Sequence, residues 1–302
     1  MIREAVATVE MVPSCAVFVR GSLEPHWATI GQMWRFLLRL SPQPARYRRG
    51  ASAQWKAMPE AQDEADALFD AIGTGVGCRW FEAAPDEGRD GLRLEITDLM
   101  PVGSNQRASE IRVRFPKDIT PAQIVRFAEW AIQNLPLWWG TAGLVFEHLS
   151  GPRLIAYKRI AALAKRHWGI QILDRSTLQW DALEGMPGIN WLTLVGNEFA
   201  KSAGMDVNRI MSEAAGLVSE SVYHRKGAQG VVLAAGAQPI KGDINNGEDL
   251  IAYVRVAALL EPLLLAQHTS LVGPFSMPDV LTAWLSRFSN PRSWLDSDIA
   301  DD

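Results

Sequence analysis

Two turns constrain the fold of this chain most, because each ends an apolar segment and begins a helical one. The first lies in GINWLTLVGNEFAKSAG, residues 188–204, where an apolar strand ends at Gly196. The second lies in GAQPIKGDINNGEDLIAYVRVAALLEP, residues 236–262, where an acidic turn leads into a longer helix. Strands that lead directly into helices indicate a protein that mixes both elements. We expect Gly196 to relieve backbone strain at its turn.

Hydrophobic periodicity predicts the remaining elements and the fold class. Apolar alternation or apolar runs predict strands at 12–20, 92–97, 111–115, 137–147, 190–195 and 230–236. Helical spacing predicts helices at 23–38, 59–72, 120–135, 153–168, 247–265 and 278–288. The order has no regular strand–helix–strand rhythm, so we predict an α+β fold with a mixed, largely antiparallel sheet flanked by helices.

Domain organisation and local details follow from the same patterns. We expect residues 1–302 to form a single globular domain, with two halves that meet near residue 150 as the alternative. Residues 290–302 are acidic and are expected to form a flexible tail. The charged faces of the strands at 92–97 and 111–115 are expected to lie open to water. Gly169 is expected to close the helix at 153–168 with a left-handed conformation.

Composition excludes several classes of protein. The net charge of −4 argues against a general nucleic-acid binder, which is usually basic. Cys15 and Cys78 form neither a disulfide framework nor a zinc spacing, and both are expected to be small buried hydrophobes. No apolar run reaches the roughly 20 residues of a membrane span, and no signal peptide is visible. We therefore expect a cytoplasmic protein without a membrane partner.

Motifs of catalysis are weak in this sequence. No serine lies in a G-x-S-x-G elbow, and GTGVG at 73–77 lacks the Lys-Ser/Thr ending of a phosphate loop. The turn KGDINNGED carries Asp243, Glu248 and Asp249, whose oxygens suit calcium or a metal-dependent hydrolase. Its spacing departs from the EF-hand pattern, and local hydrogen bonds of Asp and Asn explain such a turn without a metal. We therefore predict no cofactor.

Three segments carry a resemblance to a known family. They are FAEWAIQNLPLWWGTAGLVFE at 127–147 and the two glycine-containing turn segments. Together they resemble the type VI secretion immunity family, and within it the pseudomonad antidotes to restriction-endonuclease-like toxins. The shared features are a helix that leads to an aromatic-rich G-x-A-G strand, a W-L-T-x-x-G strand end, and a P-x-x-G-D turn before a helix with a tyrosine. The resemblance runs roughly over residues 17–264.

The resemblance implies an immunity protein, with no catalytic residues to transfer. Such a protein binds its cognate secreted toxin, here expected to be a nuclease, and occludes the active site without touching nucleic acid itself. The candidate contact residues are Trp138, Trp139, Glu147, Asp243, Glu248 and Asp249. Acidic side chains suit the basic groove of a nuclease, although core packing is the alternative role for both tryptophans. A homodimer, and an effector-loading chaperone or adaptor, stay open as alternatives.

Overall fold

The computed structural model describes residues 7–50, 53–61, 63–65, 67–68, 80–87, 89–98, 107–174, 178, 180–265, 267–268 and 271–297. The strands are β1 (Thr8–Arg20), β2 (Arg46–Arg49), β3 (Lys56–Ala57), β4 (Trp80–Ala84), β5 (Arg93–Thr97), β6 (Ala108–Arg114), β7 (Leu137–Ser150), β8 (Gln171–Ile172), β9 (Leu192–Gly196), β10 (Val222–Lys226) and β11 (Gly230–Ala235). The helices are α1 (Trp27–Leu40), α2 (Pro121–Asn134), α3 (Arg153–Arg166), α4 (Asn197–Ser202), α5 (Val207–Ala215), α6 (Ile251–Leu259), α7 (Pro278–Leu285) and α8 (Pro291–Asp296).

These strands form one sheet in the order β10-β11-β9-β7-β1-β6-β5-β4-β2-β3, with β8 beside β7. The pairs along this order are antiparallel, and β8 pairs with β7 in parallel. This arrangement confirms the predicted α+β class with a largely antiparallel sheet. Strands from both sides of residue 150 enter the same sheet, whereas the number of domains stays a prediction.

The strand β1 lies in the middle of the sheet and is buried on both faces. Its residues from Val12 to Val19 are all buried, which requires helices or loops on either side of the sheet. Burial raises the pKa of the Cys15 thiol, because the charged thiolate is disfavoured away from water. Cys15 is therefore a small core residue, as predicted, while Cys78 lies outside the described residues.

The helix α2 begins with the predicted capping box. The hydroxyl of Thr120 accepts a hydrogen bond from the backbone N–H of Gln123, and the Gln123 side chain accepts one from the backbone N–H of Thr120. The buried stripe of the helix contains Ile124, Phe127 and the alanines that follow. The ring of Phe127 packs edge-on against Phe115 from the end of β6. Of the helix predicted at 59–72, residues 63–65 and 67–68 are helical, and residues 62, 66 and 69–72 lie outside the described residues.

Close approach, rather than a strained backbone, requires glycine at two of the turns. Gly196 has an ordinary φ of −72°, so the predicted relief of strain is wrong. A Cβ at this position would overlap the Leu137 carbonyl and lie 2.6 Å from the Trp138 carbonyl oxygen, so only glycine lets β9 approach β7 here. The predicted left-handed cap at Gly169 is also wrong, since Gly169 does not have a positive φ. Glycine is needed there because a Cβ would lie 2.6 Å from the Ile240 carbonyl oxygen.

Several predicted boundaries in the C-terminal part differ from the structure. The helix predicted at 247–265 is shorter, because the backbone tightens into a 3₁₀ turn at Glu261–Leu263, where Pro262 cannot donate a helical hydrogen bond. The predicted flexible tail is corrected for residues 291–296, which form α8 and bury Trp294. The Lys165 ammonium donates to the carbonyl oxygens of Trp294 and Ser297 and so holds this helix against α3.

A buried arginine ties the C-terminal helices to the end of α3. Arg287 is 0% exposed and donates to the carbonyl oxygen of Trp168 at 2.9 Å and to the side chain of Gln171 at 3.3 Å. Its guanidinium lies 3.7 Å from the ring centroid of Trp284. Burial lowers the pKa of Arg287 to about 9, because the charged form is poorly solvated there. Carbonyl oxygens and an aromatic face therefore stabilise this charge.

We predict that Gly196→Ala destabilises the protein by about 1–3 kcal/mol or more, because the added methyl group meets backbone atoms that cannot move independently. Gly216→Ala is the matched control. Gly216 has a φ of −69°, and a Cβ there would meet the Glu213 carbonyl oxygen at 3.3 Å. Its effect is expected to stay within about 1 kcal/mol. Urea unfolding of both variants measures the difference, and equal midpoints would contradict the close-approach argument.

Candidate functional site

A well-formed pocket lies between one face of the sheet and α3. It has a volume of about 410 Å³ and combines charged side chains with a few apolar ones. Its lining residues come from β1, β5, β6, β7, β8 and α3, which shows that a helix covers part of this face. They are Ser14, Arg93, Glu95, Arg112, Arg114, Val145, Phe146, Glu147, His148, Arg153, Tyr157, Ile160, Ile172, Leu173 and Asp174.

A row of charged side chains crosses four neighbouring strands on this face. The strand register places Arg48 opposite Glu82 and Glu82 opposite Glu95. It places Glu95 opposite Arg112. Glu82 and Glu95 are like charges on directly opposite residues and repel each other. Arginines beside them compensate this repulsion. Glu82 is 0% exposed and accepts hydrogen bonds from Arg48 at 2.8 Å and from Arg93. The charged side chains of the strands predicted at 92–97 and 111–115 are half-buried, so the expectation that this face lies open to water is met only in part.

The middle of the pocket contains Glu147, one of the predicted contact residues. Arg114 lies 3.2 Å from a Glu147 carboxylate oxygen and forms an ion pair with it. Beside this pair, Arg112 donates to Glu110 at 2.8 Å and to the Leu173 carbonyl oxygen at 3.0 Å. Within the described part of the chain, Arg114 Nε has no hydrogen-bond partner. The ion pairs hold these side chains in defined positions, which favours recognition of a specific partner.

The outer corner of the pocket is formed by Arg153, Tyr157 and Asp174. The Tyr157 hydroxyl and the Arg153 guanidinium both donate to the same oxygen of Asp174. Burial, and then the charge and hydrogen bond of Asp174, raise the pKa of Tyr157. The phenol therefore stays protonated and remains a donor at neutral pH. This corner fixes the start of α3 against the segment after β8.

Exposed apolar side chains flank the pocket where β7 ends and α3 begins. Leu149, Leu154 and Ile155 are 38%, 53% and 40% exposed, and we call these three residues the apolar rim. Large apolar side chains on the surface cost solvation free energy unless a partner covers them. The sequence prediction missed the rim because a helical stripe shows which residues share a face but not what covers that face.

The acidic turn at 243–249 is a structural turn held by Arg166. The Arg166 guanidinium donates to both Asp243 oxygens, at 2.9 and 2.6 Å. Asp243 also accepts from the backbone N–H of Asn245 and the side chain of Asn246. The hydrogen bond from Arg166 holds the pKa of Asp243 below its ordinary value. A guanidinium that occupies both oxygens opposes cation binding at Asp243. The side chain is buried, so it stabilises the turn rather than offering a surface.

The other predicted contact residues divide into exposed and buried ones. Glu248 and Asp249 are exposed. Trp138 and Trp139 are only 5% and 1% exposed, and Trp139 donates to the Ala182 carbonyl oxygen at 2.7 Å and stacks on Phe18 with a centroid distance of 4.2 Å. Both indoles are therefore buried in the isolated chain. They lie at the start of β7 and donate to the neighbouring carbonyl oxygens of Leu183 and Ala182.

The described residues show neither a cluster of metal-binding side chains nor a helix that could span a membrane. No group of three or more His, Cys, Asp or Glu side chains within them is arranged to hold a metal ion. None of the helices that the structure describes has the length and apolar character needed to cross a bilayer. The pocket is lined largely by ion-paired charged side chains, and the apolar rim lies beside it.

Comparison with known proteins connects this fold to type VI secretion. The chain matches the family model TsiV, described as type VI immunity for VRR-NUC, over residues 90–288. The solved structure of the Pseudomonas aeruginosa T6SS protein PA0821 superposes with a TM-score of 0.71 at 18% sequence identity, covering 95% of this chain and 85% of that chain. At this identity the structural likeness shows the fold alone. A search of curated proteins gives no match by sequence.

We predict that Asp243→Asn lowers the melting temperature at neutral pH and that the difference from the native protein shrinks below about pH 4. The reason is the depressed pKa of Asp243: its contribution is present above the ordinary carboxyl pKa and is lost as the pH falls through the folded-state value. Asp249→Asn is the control, since Asp249 accepts only a local backbone hydrogen bond from Ile251. A difference that stays constant from neutral pH to strong acid would contradict the assignment.

Proposed function

Because the chain belongs to the TsiV family of type VI immunity proteins for VRR-NUC, we propose that it binds and neutralises a VRR-NUC nuclease toxin. The family match is the observation that carries this function. Binding takes place in the cytoplasm of the producing cell, before the toxin reaches DNA. The chain acts as an inhibitor rather than an enzyme, and it uses no cofactor of its own.

Inhibition works by occlusion of the nuclease active site. A nuclease must leave an open groove for DNA and line it with basic side chains that contact phosphates. A protein that covers this groove excludes the substrate without any chemical step. Tight inhibitors of this kind typically bury about 1,600 Å² in total, and a few central side chains supply most of the binding free energy.

The surface around the charged pocket is the proposed toxin-binding surface. It contains the apolar rim, which supplies the apolar anchors, and Glu147, which supplies a carboxylate fixed by Arg114. Association of this surface with a partner removes the rim from water and gains about 25 cal/mol for each Å² of apolar area buried. The ion pairs inside the pocket are already formed, so little side-chain ordering is lost on binding.

Acidic side chains supply the charge complementarity to the basic groove. Glu147 lies in the pocket, and Glu248 and Asp249 are exposed near the start of α6. Carboxylates at the surface imitate the phosphates of DNA and accelerate association with a basic partner. Asp243 acts behind this surface by holding the turn, and the two tryptophans act in the core of the protein.

We predict that Leu154→Asp weakens binding of the purified VRR-NUC domain by about tenfold or more, because it places a charge within the apolar rim. The binding constant is measured by calorimetric titration, and protection is measured as growth of cells that express the toxin. Leu295→Asp is the matched control, because Leu295 is 50% exposed on α8, away from the pocket. Both substitutions lie at exposed positions and are expected to leave folding unchanged.

The possible outcomes test the immunity function and the proposed toxin-binding surface separately. If the native chain neither binds the domain nor protects cells, the immunity function is wrong. If the native chain binds and Leu154→Asp binds equally well, the function stands and the proposed surface is wrong. If the native chain binds without protecting cells, and its loss abolishes toxin secretion, the chain is an adaptor.

A further inference from the structure

The strand β10 forms one edge of the sheet and is long enough to pair with another strand. The order of the described strands ends at β10 on one side and at the two-residue strand β3 on the other. Very short strands with a lysine, such as Lys56–Ala57, are a common protection of sheet edges. A five-residue edge strand is instead a template for a further strand, so β10 is the edge that an added strand would use.

The hydrogen-bond pattern shows which backbone groups of β10 are directed away from the sheet. The N–H of Gly236 donates to the Ser221 carbonyl oxygen at 2.9 Å, and the N–H of Gly227 donates to the Gly230 carbonyl oxygen at 2.8 Å. Antiparallel ladders alternate, so every second residue from 221 to 227 bonds to β11. The intervening backbone groups are directed away from β11, and they belong to Val222, His224 and Lys226. Of these, the Val222 N–H donates to the Leu217 carbonyl oxygen at 3.3 Å, so Val222 offers only its carbonyl oxygen.

Exposed apolar side chains accompany this edge. Val218, Tyr223 and Ile251 are 51%, 44% and 53% exposed. Val218 lies just before β10, and Ile251 begins α6. An ion pair between Arg255 of α6 and Glu220 holds these two segments together. Apolar surface beside an unpaired edge strand is typical of an interface that is incomplete in the isolated chain.

We infer that β10 pairs in an antiparallel register with β10 of a second copy of this chain, centred on His224. Two sheets then continue into one across a two-fold axis. The outward N–H and carbonyl groups of His224 bond to those of the second His224, and the Val222 carbonyl oxygen accepts from the N–H of the second Lys226. This interface does not involve the charged pocket, so it is independent of the proposed toxin binding.

The side chains of β10 are complementary to themselves in this register. Tyr223 lies opposite Arg225 of the second copy, and the reverse pair forms on the other side of the axis. A guanidinium next to a tyrosine ring is a favourable cross-strand pair. Arg225 is 76% exposed, and its ion pair with Glu129 is long, at 3.6 Å. The guanidinium is therefore able to turn toward the tyrosine.

Neighbouring registers lack this complementarity. A shift of the register in one direction places Tyr223 opposite its own copy, and a shift in the other direction places Arg225 opposite its own copy. Two guanidinium groups in direct opposition repel. The edge is also basic at Arg225 and Lys226, so the register that pairs Arg225 with its own copy is disfavoured, and the centred register is the one that pairs Tyr223 with Arg225.

The first test uses sedimentation equilibrium of the full chain at micromolar concentrations. We expect a reversible dimer. His224→Pro is expected to give a monomer, because proline removes an outward N–H that the ladder to β11 does not use. His224→Thr keeps the N–H and is expected to remain dimeric. The melting temperature and toxin binding of both variants report whether the fold is retained.

The second test addresses the register and does not depend on proline. Tyr223→Lys places a positive charge opposite Arg225 and is expected to weaken the dimer roughly tenfold over its two symmetric contacts. Tyr223→Glu places a negative charge there and is expected to keep the dimer. Both substitutions remove the same ring from an exposed position, so each is the control for the other.

Three results would overturn the inference. One is a native chain that stays monomeric at every concentration. Another is a dimer that His224→Pro leaves intact. The third is an equal effect of Tyr223→Lys and Tyr223→Glu on dimer formation, which would exclude the centred register. A monomeric native chain whose toxin binding is lost in His224→Pro would instead identify the edge as a site for a toxin strand.

Discussion

Pairing of β1 with β7 is the interaction on which the rest of the structure depends. The two strands run antiparallel over almost their whole lengths, from Thr8 and Ser150 at one end to Val19 and Leu137 at the other. Glycine permits this pairing at its closest point, since a Cβ on Gly140 would lie 2.8 Å from the Ala16 carbonyl oxygen. Because β1 belongs to the N-terminal part and β7 leads into the C-terminal part, the pair joins both into one sheet. Each face of this pair then receives its own covering elements.

The charged pocket is a consequence of that pairing. Ser14 of β1 aligns with Arg114 of β6 on one side and with Gly143 of β7 on the other. The same register extends the charged row from β6 toward β2, so acidic and basic side chains meet on one face. The helix α3 returns over this face directly after β7 and leaves the pocket between helix and sheet. Buried ion pairs of this kind add little net stability, yet they fix the positions of their side chains.

The sequence predicts the helices and strands better than the tertiary contacts that cover them. The capping box at Thr120 and Gln123 is local chemistry, so the start of α2 is readable from four residues. Alternation at 92–97 and 111–115 identifies the strands and their charged face, but the cover of that face comes from α3 and β8, which follow later in the chain. The burial of Trp138 and Trp139 has the same origin. The reason for glycine at position 196 is equally hidden in the sequence, because it arises from contact with another strand.

The apolar rim and the buried charges differ in how freely they can change. Substitution of Glu82 or Arg114 leaves a charge without its partner inside the protein, whereas Leu154 and Ile155 contact mainly solvent in the isolated chain. Substitutions therefore cost little folding stability at the rim and more at the charged pairs beneath it. A lineage can in this way retain one scaffold while the exposed residues of the rim vary.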